Sequence, residues 1–209
     1  MANKILIAVP IGAAGIEPAC FRSIWGQRRD DDSEYLFNYY EGYDVRMARD
    51  KAVEDAIAMK CTHIFFVDSD IELPVDALSK LLKANHYIAY GWYPRKRTTT
   101  GQTEVFKEDG EPDFVDRNNM SIEEIVELEQ KPYIIKGGGL GIALIRTDVF
   151  KWLREKGRHP FEYVRYSYPD GTTKGSLSED NFFATQVSDH FEIVLLPRVR
   201  GFHIVKQWT

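Results

Sequence analysis

The segment HIFFVDSDIELP, His63 to Pro74, constrains this chain more than any other stretch. His63 to Val67 are all aromatic, β-branched or imidazole residues, which suits a buried strand. The run delivers Asp68 and Asp70 at its end, and Pro74 then opens a helix, where its missing amide hydrogen costs nothing. Burying two ionised aspartates side by side is expensive unless a cation pairs with them. Oxygen ligands select a hard divalent ion such as magnesium, manganese or calcium, and such an ion holding a diphosphate is the most economical partner. The competing reading is turn formation and capping ahead of the helix, for which one aspartate would serve.

The flanking segments give that strand its setting. Lys4 to Val9 reads as a buried strand, Pro10 to Gly15 as a Gly-rich turn, and Pro18 to Trp25 as a helix. After the charge run Arg28 to Ser33 comes a second strand, Glu34 to Tyr40. Asp44 is placed to cap the next helix, on which Ala48, Ala52, Ala56 and Met59 share a face, with Val53 and Ile57 beside them. Beyond Pro74, Ala77, Leu78, Leu81 and Leu82 form a buried helix side, and His86 to Tyr93 is a further strand. Strand, helix, strand, helix, strand is the pattern of a parallel, doubly wound α/β sheet.

That pattern then breaks. Pro94 to Lys131 is polar, with only Ser121 to Glu129 helical, and reads as a mobile excursion. Strand character returns from Pro132 to Arg146 around Gly137, Gly138, Gly139 and Gly141. Thr147 is expected to cap a helix ending near Gly157, and Ser178 another running to Val187. A final strand, Glu192 to Leu196, precedes an irregular tail holding His203. Neither a repeat nor a linker divides the chain. One domain over residues 1–209 is expected, with a nucleotide-binding part to about residue 93 and a sugar and acceptor part from about 94.

Composition excludes several classes. A formal charge of −5 argues against a nucleic-acid binder, which wants a basic face. The two cysteines, Cys20 and Cys61, have no metal-type spacing and read as buried thiols in a reducing compartment. No run is long enough to cross a bilayer, and MANKILIAVPIG is better read as a first strand than as a signal peptide. A cytoplasmic enzyme is the expectation.

In open α/β sheets the ligand sits beyond the carboxyl ends of the strands. The turn after Val9, Asp68-Ser69-Asp70, the glycine cluster and Glu179-Asp180 would all reach that edge, as would Arg49, one turn into its helix. Glu179 and Asp180 follow the cap Ser178, so they serve the helix dipole or chemistry equally well. The same dipole holds Asp180 ionised, which suits a base. Lys96, between Arg95 and Arg97, either neutralises a diphosphate or is a solvated loop residue. His203 is either structural or a metal ligand, and the other histidines read as structural.

In this order, the residues resemble a nucleotide-diphospho-sugar glycosyltransferase of the GT-A type, closest to glycosyltransferase family 2 in the broad sense. Pro10 and the loop after it, Ile11 onward, resemble the nucleotide loop. Ala48-Arg49-Asp50 is similar to the family's Ala-Arg-Asn helix, with Asp50 in place of asparagine. Asp68-Ser69-Asp70 matches the Asp-x-Asp motif, KGGGLGIALIRTDVF (Lys136 to Phe150) the glycine-rich stretch, and Glu179-Asp180 the Glu-Asp motif. His203 stands where many members place a late metal-binding histidine. YGWYPRK in this motif order is reminiscent of short viral and bacterial members.

The resemblance implies a GT-A fold with a Rossmann-like, mixed, mostly parallel sheet flanked by helices. It implies transfer from a nucleoside-diphosphate sugar, UDP-linked, to a carbohydrate or glycan hydroxyl, with inversion as in family 2. Asp68 and Ser69 would face the nucleotide, while Asp70 and His203, with Asp68 beside them, would hold manganese or magnesium. Arg49, Pro10 and Ile11 would hold the base and Lys96 the diphosphate. Asp180 would be the general base, supported by Glu179. The family's base-reading acid after the second strand has no clear equivalent, Glu41 and Asp44 being candidates. The chain ends soon after His203, so the expectation is either a minimal enzyme or the catalytic piece of a longer polypeptide or oligomer.

The rivals are a sugar nucleotidyltransferase, an aspartyl phosphohydrolase and an inactive nucleotide-sugar-binding module. The first wants a longer basic first loop than Pro10 to Gly15. The second carries its motif on the first strand. The third does not need the catalytic acids present here.

Overall fold

The computed structural model describes residues 2–96, 101–107, 119–128 and 131–204. The chain opens with β1 (Lys4–Ile11), α1 (Pro18–Trp25), β2 (Glu34–Glu41), α2 (Val45–Ala58) and β3 (His63–Val67). Next come β4 (Ile71–Glu72), α3 (Ala77–Ala84), β5 (Ile88–Trp92), β6 (Gln102–Phe106), β7 (Asn119–Ser121) and α4 (Ile122–Glu127). Then follow β8 (Tyr133–Ile135), β9 (Gly137–Gly138), β10 (Ile142–Arg146), α5 (Thr147–Glu155), β11 (Val164–Ser167) and β12 (Thr173–Leu177). The described part closes with α6 (Glu179–Val187), β13 (Ile193–Arg200) and β14 (Phe202–His203).

The main sheet has seven strands in the order β2-β1-β3-β10-β5-β13-β8. β1, β2, β3, β5 and β13 run one way, and β10 and β8 run against them. The sheet is therefore mixed and mostly parallel. β3 and β5 are buried along their whole length because helices cover both faces, so they read as apolar runs rather than alternating ones. One face packs on Ala52 and Val53 of α2, Phe150 and Leu153 of α5 and Phe183 of α6. The other packs on Ile24 of α1 and Leu78 and Leu81 of α3.

Asp44 caps α2 as expected, its carboxylate accepting from the Met47 amide at 2.8 Å. Met59, however, falls past the last turn of α2 and is exposed, so the buried stripe ends at Ala56. Two other caps differ from expectation. Pro74 heads a turn, and α3 begins only at Ala77 with Asp76 before it. Thr147 is already helical, and its hydroxyl donates to the Cys61 carbonyl at 2.7 Å, tying α5 to the loop before β3.

The polar stretch after Pro94 carries more order than its composition suggests. β6 pairs with β7 and with β9, and Ser121 and Glu124 form a reciprocal capping box at the start of α4. Expectations for Arg97 and for residues 108–118 lie outside the described residues. The last main-sheet strand also runs further than expected, to Arg200, and β14 then pairs with β4, His203 opposite Ile71. Cys20 and Cys61 are free, buried thiols.

Candidate functional site

The parallel register sets the carboxyl ends of β1 and β3 side by side, Ala8 against Phe66. β10 runs back along β3 with Ile142 opposite Val67, which places Gly141 beside Asp68. The Asp68 amide donates to the Gly141 carbonyl at 3.2 Å. Its own carbonyl accepts from the Cys20 thiol at 3.4 Å, and the Ser69 carbonyl accepts from the Glu17 amide at 2.9 Å. The Asp-Ser-Asp turn is thereby pinned by the end of the neighbouring β10 and by the start of α1.

A cavity of about 340 Å³ opens there. Pro10, Ile11 and Gly12 from the end of β1 line one wall, with Tyr43 and Val45 from the start of α2. Arg49, Asp68, Ser69 and Asp70 form the floor, and Lys96, Glu179, Asp180 and His203 complete the rim. An adjoining lobe of about 360 Å³ shares Asp68, Lys96, Asp180 and His203 and adds Tyr93, Arg95, Glu104 and Ser178. Pro10, Ile11, Arg49, Asp68, Ser69, Asp70, Lys96, Glu179, Asp180 and His203 therefore meet around one cleft, while the glycine cluster, Glu41 and Asp44 do not line it.

Arg49 is 2% exposed. Its guanidinium donates to Glu179 and, at 3.0 Å, to Asp68. Burial works against its charge, but the two carboxylates outweigh it and hold the group firmly protonated. Glu179, also buried, is pushed up by desolvation while Arg49 pulls it back. The Tyr163 hydroxyl is pushed up to about 12, mainly by burial and then by the nearby Glu179 charge.

Asp180 sits at the first turn of α6. Its Oδ1 accepts from the Ser178 hydroxyl and, at 2.8 Å, from the Asn181 amide. Ser178 stands at the N-cap position but makes no backbone cap with its side chain, because that hydroxyl is turned to Asp180. Oδ2 has no protein donor among the described residues.

The β14–β4 pairing explains how a histidine so late in the chain reaches Asp70. The Ile204 amide donates to the Asp70 carbonyl at 2.8 Å, and His203 lies against the Tyr93 ring, centroids 4.8 Å apart. His203 Nδ1 is 2.7 Å from the Pro94 carbonyl, so Nδ1 carries the proton and Nε2 keeps a lone pair. Burial lowers the pKa of the imidazole and so favours the neutral ring, against the pull of that carbonyl bond.

A neutral, carbonyl-oriented imidazole beside a carboxylate is the donor chemistry a divalent ion takes, so Asp70 and His203 fit one. Among the described residues no set of three or more His, Cys, Asp or Glu forms a closed metal cage. The Asp70 carboxylate is instead paired with the Lys96 ammonium.

Several lining residues escaped the sequence reading. Tyr43 and Val45 lie just past β2, beside the candidate acids Glu41 and Asp44; Asp44 is committed to capping. Tyr93 read as one aromatic among several, yet its hydroxyl accepts from the Gly141 amide at 3.1 Å. Glu104 pairs with Arg95 at 3.1 Å and lies on β6, a strand that polar composition concealed. No helix among the described residues is long and apolar enough to cross a membrane.

No protein-family model and no curated protein sequence matches the chain. Solved structures do. A197 from STIV matches over 98% of this chain and 86% of its own, with a TM-score of 0.59 and 17% identity. The structure of GalNAc-T7 with UDP, GalNAc and Mn2+ matches over 98% of this chain but only 44% of that one, with a TM-score of 0.57 and 14% identity. At these identities the likeness is one of architecture, and it agrees with the strand order and helix layers described above: the chain has a GT-A fold.

Proposed function

We propose that this chain is a metal-dependent glycosyltransferase of family 2 type. It would move a sugar from a UDP-linked donor to a carbohydrate hydroxyl and invert the anomeric centre. The observation that carries this reading is the meeting of the Pro10–Gly12 turn, the Asp68–Asp70 turn, Asp180 and His203 around one cleft at the carboxyl edge of the sheet.

In this reading the nucleoside lies along Pro10, Ile11 and Tyr43, with Asp68 and Ser69 beneath it. Asp70 and His203 would hold manganese or magnesium, whose charge offsets that of the diphosphate as it leaves. Lys96 moves from Asp70 to the phosphates. Arg49 has both terminal nitrogens engaged by carboxylates, so its part is positioning rather than base contact.

The acceptor enters by the lobe that contains Tyr93 and Glu104. Its oxygen attacks the anomeric carbon, the proton passes to Asp180 Oδ2, and the bond to the diphosphate breaks with the electron pair leaving on the nucleotide. Ser178 and the Asn181 amide hold the other Asp180 oxygen, which aims the free one.

Incubation with UDP-glucose and related donors in manganese should release UDP, slowly without acceptor and faster with one. A binding module would release none. Asp180→Asn should retain donor binding and lose turnover, and Asp70→Ala should lose manganese-dependent donor binding. Unchanged manganese dependence in the Asp70 variant would overturn the metal assignment, and full activity in the Asp180 variant the base assignment.

A further inference from the structure

At the opposite, amino-terminal edge of the parallel strands, a cavity of about 440 Å³ opens where α2 and α3 end and α5 begins. His63, the first residue of β3, lines it and is only 9% exposed. Its Nδ1 lies 2.8 Å from the Thr62 hydroxyl, which leaves Nε2 as the ring nitrogen on the cavity side. Among the described residues nothing bonds to Nε2, and protein does not enclose it. Burial, with Arg146 nearby, pushes the imidazole down to about 4, so the ring is neutral. The Thr62 hydroxyl spends its one proton on the Lys4 carbonyl at 3.0 Å, so Nδ1 donates to it and Nε2 offers a lone pair that a ligand hydroxyl can donate to.

Three cations, Lys60, Arg146 and Lys151, line the cavity with one carboxylate, Asp148, among otherwise neutral residues. Lys151 is matched by Asp148 at 2.8 Å, but Lys60 has no partner among the described residues. Arg146 donates to Asn85 Oδ1 at 2.6 Å and lies over the Tyr87 ring, with no carboxylate of its own. Lys60 and Asn85, both at φ 58°, end α2 and α3 in the left-handed conformation, which turns the chain into the cavity. Arg146 occupies the N-cap position of α5 and makes no side-chain cap; the Thr147 amide is taken by the Thr62 carbonyl at 3.0 Å, which leaves the Asp148 and Val149 amides for another acceptor.

We propose that this cavity is a second binding site, which takes a small hydroxylated anion of the sugar phosphate class, its hydroxyl on His63 and its phosphate against Lys60, Arg146 and the start of α5. The site stands independently of the transfer reaction proposed for the other edge.

Glucose 1-phosphate is the probe, titrated calorimetrically into the protein with UDP and manganese saturating the main cleft. The expected result is binding that persists there and weakens by about tenfold or more in Lys60→Glu and in His63→Phe. Inorganic phosphate should bind more weakly than glucose 1-phosphate and be insensitive to His63→Phe. Failure of the sugar phosphate to bind, equal affinity in the Lys60 variant, or inorganic phosphate binding as tightly, would each overturn the proposal. Should His63→Phe not fold, the nitrogen resonance of His63 Nε2 in the wild-type protein decides the matter: it must move on addition of glucose 1-phosphate, and an unmoved signal sinks the assignment.

Discussion

Arg49 and Glu179, 130 residues apart in sequence, form a buried ion pair beneath the cleft, and the same guanidinium holds Asp68 at 3.0 Å. One cation thus fixes α2, the end of β3 and the start of α6 against one another. Removing it strands two carboxylates, Glu179 among the most buried charges of the chain, without compensation. Arg49→Met should cost about 3–5 kcal/mol in urea denaturation. Arg49→Lys should recover only part of this, because a single ammonium cannot reach two carboxylates as a planar fork does. A loss below about 1 kcal/mol for Arg49→Met would mean that the pair behaves as a solvated one.

Close backbone approach is the second device holding Asp68. A Cβ on Gly141 would stand 2.7 Å from Asp68 Oδ2 and 2.7 Å from the Tyr93 hydroxyl. Neither can retreat freely, since Asp68 is bound to Arg49 and Tyr93 to the Gly141 amide. Gly141→Ala should therefore cost about 1–3 kcal/mol. By moving Asp68 it should also lower UDP-sugar turnover by about tenfold or more. Gly12, with nothing within 4 Å of its would-be Cβ, is the control: Gly12→Ala should leave the melting temperature unchanged.

These two devices show what local sequence does and does not carry. The apolar run at β3 and the acids ending it have a local cause, so strand, turn and helix could be read in order. So could the capping role of Asp44. The bond from Arg49 to Glu179 has no local signature, and neither does the turn of the Ser178 hydroxyl away from its own helix. β6 and β7 are not legible because they are short, half-polar segments, and the pairing of β6 with both β7 and β9 is long-range. His203 looked isolated because its partner strand, β4, is only Ile71–Glu72 and pairs across the whole later half of the chain.

Lys96 is paired with the Asp70 carboxylate, which a divalent ion would have to take from it in the proposed reaction. The lysine side chain is 46% exposed, so its hold on Asp70 is weak, worth at most about 1 kcal/mol. Lys96→Ala should tighten manganese binding in the absence of nucleotide, by about fivefold at most. It should weaken UDP binding in the presence of manganese, because a phosphate partner is lost. Manganese titration with and without UDP checks both; weaker manganese binding by the nucleotide-free variant would contradict the competition.

Two groups, the half-buried Asp50 and the buried His63, should give opposing pH dependences. The Asp50 carboxyl is pushed up to about 6 by burial, against the pull of Arg46, from an ordinary 3.8. Between those values the native state keeps a proton that the unfolded chain has lost, so this group makes stability fall as pH rises from about 4 to about 6. His63 is pushed down to about 4 from 6.5, chiefly by burial. Here the unfolded chain takes up the proton first, and stability falls as pH drops from about 6.5 to about 4. Asp50→Asn removes the first slope and leaves the second, so its melting temperature should drop more steeply on acidification than that of the wild type. His63→Gln should do the reverse and flatten the acid side. Parallel melting curves for the three proteins between pH 4 and pH 7 would refute both assignments.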